Sequence, residues 1–401
     1  MTHPITELIH HPYTPPAGFA SPQPGVFKAS TVIFPNAAAM RARQWKDKTG
    51  YTYGLHGTPT TFMLEERLAT HEGGLQCLLA PSGLAAISTV SMALLKSGDE
   101  VLIPDNAYGP NKALAEGELK AWGITHQYYD AMNPLDLAGR ISAKTRLVWV
   151  EAAGSVTLEF PDLCELVRIC KSKGVLVVLD NTWGAGIAFK AFNLLPGSAA
   201  PLAVDISVHA LTKYPSGGGD VLMGSIITRD PALHLKIKLA HMRIGFGVSG
   251  NDAELVLRSL PSMGLRYQAH DSATRALAAW CQKQSEFAQV LHPALPGSPG
   301  HAHWRDLCRN GAGGAAGLLS VIFKPEYALR QVDAFCDALK LFKLGTSWGG
   351  PMSLVVCYDL ASMRSTWPPY LPRGTVVRFS IGLEAVADLQ ADLAQALNAL
   401  H

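Results

Sequence analysis

A chain of 401 residues, 48% hydrophobic and 16% charged, is too long for one small domain and too apolar for a disordered tail, so two folding units with a large shared interface are expected. Lys and Arg number 34 against 32 Asp and Glu, with no basic run, which argues against nucleic acid or an acidic membrane as partner and leaves a small molecule. The opening MTHPITELIHHPYTPP lacks the basic flank and apolar run of a secretory signal, and no stretch reaches the roughly 20 apolar residues of a membrane span, so the protein is read as cytoplasmic.

In chain order, residues 1–55 hold a Pro-rich stretch from Pro12 to Pro24 and the segment STVIF. They fit neither unit and read as an extended arm that contacts a neighbouring subunit. From Phe62 the pattern alternates. A helix-like FMLEERLATHEG is followed by a short apolar QCLLA and a helix-like LAAISTVSMALLKSGD, and then by the apolar runs VLIP, THQYY, RLVWVEAA, VLVVLD and DISVHA. Short apolar runs separated by helical periodicity predict βα units around a mostly parallel sheet flanked by helices, over residues 56–250. From about residue 230, LHLKIKLAHM, AELVLRSLPSMGL and TRALAAWCQKQSEF read as helices, and GLLSVIF, SLVVCYD and TVVRFSI follow as strands. A smaller α+β C-terminal domain is therefore expected over residues 251–401.

Functional groups of open α/β sheets collect at the carboxyl ends of strands. Asp180 closes VLVVLD, and Lys213 follows the DISVHA strand in HALTKY, ahead of the glycine-rich SGGGD. A carboxylate and an amine so placed are what pyridoxal 5'-phosphate requires: the lysine forms the Schiff base and the carboxylate keeps the pyridine nitrogen protonated. Its phosphate needs a cradle, and Ser82-Gly83-Leu84 opens a helix after QCLLA, offering free N–H groups, a hydroxyl and the positive end of the helix dipole. Tyr108, after VLIP, offers an aromatic face. Taken singly each signal is weak, since most Ser-Gly pairs are caps and most lysines are solvated; the ordered set is what carries the reading.

The segments YGLHGTPTTF, PSGLAAIS, DNAYGP, LDNTW, LTKYPSGGGD, LPGSPGHAHW, SWGG and VVRFSIGLE resemble the cystathionine β-lyase family, within the Cys/Met-metabolism group of fold-type I pyridoxal-phosphate enzymes. The resemblance implies a homotetramer built from dimers that complete each other's sites, and α,β-elimination of L-cystathionine to homocysteine, pyruvate and ammonia, a transsulfuration step towards methionine. It implies that Lys213 holds the cofactor and carries the proton, that Asp180 pairs with the pyridinium, that Tyr108 stacks on the ring, and that Ser82, Gly83, Leu84 and Thr212 surround the phosphate. Tyr53 of a neighbouring subunit would reach the phosphate or the substrate amine, so Tyr108 and Tyr53 join Lys213 as catalytic candidates. Arg378 would clamp the substrate carboxylate with help from Ser347, beside Trp348; the bland alternative for Arg378 is a structural ion pair.

One departure stands out: where the family often reads Tyr-Gly-Arg, this chain has Tyr53-Gly54-Leu55, and His56 is the substitute it offers. Trp348 in SWGG favours β- over γ-elimination, because γ-acting members commonly show Ser-Leu-Gly-Gly there. A cystathionine or methionine γ-lyase, a β-lyase for other cysteine S-conjugates, and a non-catalytic cofactor-binding protein are the rivals. His301 and His303 alternate as strand residues would, but no third ligand is near, and no metal is expected. Trp183 and Trp304 read as core. The seven cysteines, Cys77, Cys164, Cys170, Cys281, Cys308, Cys336 and Cys357, form no CxxC pair and read as buried thiols in a reducing compartment.

Overall fold

The computed structural model describes residue 6, residues 22–308 and residues 314–400; the Pro-rich stretch lies outside the described residues up to residue 21. Seven strands form the first sheet: β1 (Gln76–Ala80), β2 (Glu100–Pro104), β3 (Thr125–Tyr129), β4 (Thr145–Glu151), β5 (Leu176–Asp180), β6 (Ile206–Ala210) and β7 (Gly224–Thr228). Their spatial order is β1-β7-β6-β5-β4-β2-β3. The pairings β2–β3, β2–β4, β4–β5 and β5–β6 are parallel, and β7 runs antiparallel to both of its neighbours.

The central strands are apolar on both faces because both faces are covered. Val148, Val150, Val177 and Leu179 point into one core, and Leu147, Trp149, Val178 and Val208 into the other. Helix α1 (Pro59–Glu72) starts with Thr58 and Thr61 bonded reciprocally in a capping box and Pro59 in the first turn. Helix α2 (Gly83–Leu94) starts with Ser82 Oγ accepting the Ala85 N–H at 2.9 Å. Helix α3 (Gly109–Leu114) follows β2, and α4 (Leu163–Ser172) precedes β5.

The second sheet has the order β10-β11-β12-β9-β8, from β8 (Phe287–Leu291), β9 (Leu318–Phe323), β10 (Lys343–Leu344), β11 (Leu354–Tyr358) and β12 (Val376–Ser380). The link between the sheets runs through α5 (Pro231–Ile244) and α6 (Gly250–Cys281). The two helical segments expected after residue 250 are one helix of 32 residues that continues through Pro261. Proline removes a backbone donor and normally breaks a helix. Here Leu257, Leu260, Met263 and Tyr267 on either side of it are buried in the first core, while Ala273, Leu277, Ala278 and Cys281 enter the core of the second sheet.

His301 and His303 are not strand residues: they open helix α7 (His301–Cys308), in which Trp304 and Cys308 are the buried face. The 3.6-residue spacing of Trp304 and Cys308 outweighs the local alternation. His301 Nδ1 lies 2.9 Å from the Pro293 carbonyl, and among the described residues no group of three metal-ligating side chains occurs. Trp183 and Trp304 are buried in the first core. Among the described residues, no helix is long and apolar enough to cross a membrane.

Candidate active site

Asp180 ends β5, and its register partner on β4 is Glu151, so parallel pairing delivers two carboxyl groups side by side at the carboxyl edge of the sheet. Asp180 Oδ1 accepts from Thr182 N at 3.0 Å and from Thr182 Oγ1 at 2.5 Å. Burial raises the Asp180 carboxyl, and the two Thr182 bonds only partly offset this. Glu151 is raised further, by burial and then by the charge on Asp180. Its Oε1 accepts the Tyr108 N–H at 2.7 Å, which fixes the backbone just before α3 and sets the root of the Tyr108 side chain. Burial and the two carboxylates keep the Tyr108 hydroxyl protonated.

Behind this pair lies a polar network that the sequence did not disclose. Glu72, at the end of α1, sits 3.0 Å from His209 Nε2 and accepts from Asn181 Nδ2 and Ser207 Oγ at 3.1 Å each. Burial works against the Glu72 charge, yet His209 beside it holds the carboxyl down to about 2. The ends of β5 and β6, which carry Asp180 and lead to Lys213, are thereby tied to α1.

Lys213 Nζ donates to Ser347 Oγ at 2.8 Å and lies 5.4 Å from the centre of the Trp348 ring. The turn that brings these residues in requires a glycine: Gly349 has φ +77, and a Cβ there would stand 3.1 Å from Tyr214 N. Burial and then the nearby Arg378 guanidinium lower the Lys213 amine to about 8, although Asp180 opposes them. Arg378 sits on β12 between Val356 and Ser320, with its guanidinium 5.3 Å from the centre of the Tyr358 ring. Its Nε has no hydrogen-bond partner, and among the described residues no carboxylate pairs with it. The Arg378 cation stands near enough to act on the Lys213 amine.

The start of α2 closes the opposite side. A Cβ at Gly83 would lie 2.6 Å from that of Ala210, and one at Gly224 would lie 2.3 Å from the Ser82 carbonyl oxygen, so only glycines let this helix end rest on β6 and β7. Thr212 Oγ1 accepts from Met223 N at 3.3 Å, which places it beside Gly224 and hence beside Ser82 and Gly83; Leu84 is exposed on the first turn.

Tyr53 does not join this set. It is 45% exposed and its ring packs edge-on against His56 at 5.8 Å. His56 is held by Thr52 Oγ1 at 2.8 Å and stacks on Trp45 at 5.2 Å; burial and then Lys238 and Arg43 lower its pKa. Leu55 and His56 line a small cavity with Lys238, His241 and Phe246.

The residues fit pyridoxal 5'-phosphate on three observations: an amine lowered towards neutrality, a partnerless buried guanidinium nitrogen, and a helix start that side chains would obstruct. A lysine at the carboxyl edge of an α/β sheet, near a strand-end carboxylate, is the arrangement of an enzyme that works through a carbonyl cofactor. The chain matches the family described as Cys/Met metabolism PLP-dependent enzyme over residues 5–398, and it belongs to that family. Pyridoxal 5'-phosphate is its cofactor. It is 36% identical to the cystathionine beta-lyase of Bordetella avium, over 98% of this chain and 97% of that one, and 32% identical to the L-alanine/L-glutamate racemase of Wolbachia pipientis wMel, over 94% and 92%. The crystal structure of metB from Corynebacterium glutamicum superposes with a TM-score of 0.86 at 27% identity, covering 100% of this chain and 99% of that chain.

Proposed function

We propose that the protein is a carbon–sulfur β-lyase that converts L-cystathionine and water to homocysteine, pyruvate and ammonia. The observation that carries this is the juxtaposition of Lys213, 2.8 Å from Ser347, with the partnerless Arg378, whose charge reaches the same amine. A base for the Cα proton and an anchor for an α-carboxylate belong together in an enzyme for amino acids.

When bound, the cofactor supplies an electron sink for the pair left at Cα. Lys213 would hold it, Asp180 would pair with its ring nitrogen, Tyr108 would take its ring, and Ser82, Gly83, Leu84 and Thr212 would take the phosphate. Arg378 clamps the substrate carboxylate with Ser347, and Trp348 walls the pocket and restricts the substrate at Cβ. Once the incoming substrate amine has released it, Lys213 Nζ would take the Cα proton, the Cβ–S bond would break, and the protonated Tyr108 hydroxyl would supply a proton to the departing sulfur.

Tyr53 serves a neighbouring subunit's site, a reading supported by its exposure and its separation from the Lys213 cluster. The assembly is a homotetramer of dimers with shared sites, working in the cytoplasm on the route to methionine. Residues 1–55 form the arm, 56–250 the cofactor-binding domain and 251–401 the C-terminal domain, a division supported by the two separate sheets.

The test is to incubate the purified enzyme with L-cystathionine and identify the products. Pyruvate with homocysteine is expected. Cysteine with 2-oxobutyrate would make it a γ-lyase instead, and racemisation of L-alanine without elimination would overturn the lyase reading.

A further inference from the structure

Cys336 and Cys357 are 21 residues apart in the chain, yet their Sγ atoms meet at 3.1 Å. Cys336 stands on helix α8 (Leu329–Ala338), buried with Val332 and Phe335 against the second sheet. Cys357 stands on β11, only partly buried, next to the Tyr358 whose ring covers Arg378. Neither thiol takes part in the chemistry proposed above. Both belong to a well-packed helix–strand seam, so the contact does not depend on a loop or an exposed turn.

The other five thiols differ. Cys77, Cys170, Cys281 and Cys308 are buried and Cys164 is partly so, and burial pushes each of them up. No other pair of cysteine sulfurs among the described residues is in contact. At Cys357 the neighbouring Cys336 thiol favours the thiolate and lowers it, despite burial. The more accessible sulfur is thus also the better nucleophile, and the sulfur that can displace a first adduct is already in place behind it.

We propose that Cys336 and Cys357 form a modification site for low-molecular-weight disulfides, closing reversibly into an intramolecular disulfide that ties α8 to β11. The Cys357 thiolate attacks one sulfur of RSSR, forming the mixed disulfide and releasing one thiol. Cys336 then gives up its proton and attacks Cys357 Sγ, forming the protein disulfide and releasing the second thiol. The protein dithiol is oxidised and RSSR is reduced to two RSH, so no other oxidant enters. The closed pair grips the strand that backs Arg378.

The experiment uses the cofactor-loaded enzyme and oxidised glutathione, followed by denaturing alkylation, intact mass and peptide mapping. The expected result is the loss of two of the seven thiols, a mass about 2 Da lower before alkylation, a 336–357 cross-link, and full reversal by dithiothreitol. Cys336→Ser should stop at a stable glutathione adduct on Cys357, whereas Cys357→Ser should leave Cys336 alkylatable. All seven thiols still alkylated in the wild-type enzyme, cross-links through other cysteines, or an unchanged thiol loss in Cys357→Ser would each overturn the proposal. None of these outcomes depends on which amino acid the active site takes.

Discussion

At the Lys213 end of the candidate site, the amine, the two strand-end carboxyls, the guanidinium and the Ser347-Trp348 turn all come from one chain and are placed by sheet register and part-buried hydrogen bonds. At the Tyr53 end, the aromatic that the family motif supplies is turned outward and rests on its own neighbours. The difference teaches that one chain can build the charge-handling floor by itself, because parallel strands deliver side chains to one edge, whereas an irregular segment leaves Tyr53 resting on His56 and apart from that floor.

The largest effect expected is at the floor. Lys213→Ala should lower turnover on the order of 10^4-fold, the upper range for removal of a proton-transfer group; steady-state rates near those of the wild type would break the floor half of the comparison. Arg378→Gln should lower kcat/KM by roughly 10^2-fold to 10^3-fold, as expected for loss of a buried charge-assisted pair with the substrate, mostly through KM. A loss confined to stability would return Arg378 to a structural role.

The Tyr53 wall is sharpened by complementation. Tyr53→Ala and Lys213→Ala should each be nearly inactive, the former by about 10^2-fold, while an equal mixture of the two, dissociated and reassembled, should regain roughly a quarter of wild-type activity, because mixed dimers hold one intact site. No recovery on mixing would place Tyr53 in its own chain's site.

pH separates the ends more gently. With its amine lowered to about 8, Lys213 loses its proton as pH rises through 8, and the free amine is the reactive form. The rate at which stripped enzyme captures the cofactor should therefore climb about tenfold per pH unit below 8 and level off above it. Arg378→Gln removes a positive neighbour and should move that midpoint upward. A profile still climbing past pH 10 would mean an ordinary, solvated lysine.

The smallest effect is expected at Glu151, whose carboxyl burial and then Asp180 raise well above the usual carboxylate range. Glu151→Gln keeps the acceptor for the Tyr108 N–H and should change stability by less than about 1 kcal/mol, whereas Glu151→Ala should cost about 2 to 3 kcal/mol. Chemical denaturation of the two variants gives the comparison.

Much of this was legible in the residues. The βα pattern, the strand-end Asp180 and the post-strand Lys213 follow from period and position, and those rules are local. Glu151 obeys the same strand-end rule in RLVWVE, and that signal, applied to every strand, finds it. The Glu72–His209 network joins residues more than a hundred positions apart, and Tyr358 reaches Arg378 only through antiparallel pairing; no spacing in the chain announces either. The alternation of His301 and His303 misled because the buried Trp304 and Cys308 decide the conformation there, and the Cys336–Cys357 contact is set by a helix crossing a strand.

If the Lys213 amine holds the cofactor on a floor built by one chain, the cofactor can be fixed to that lysine chemically. Borohydride reduction of the loaded enzyme, followed by digestion and peptide mapping, tests it most directly. A single cofactor-labelled peptide carrying Lys213 is expected; label on another lysine, such as Lys112 or Lys238, with Lys213 unmodified, would place the cofactor elsewhere.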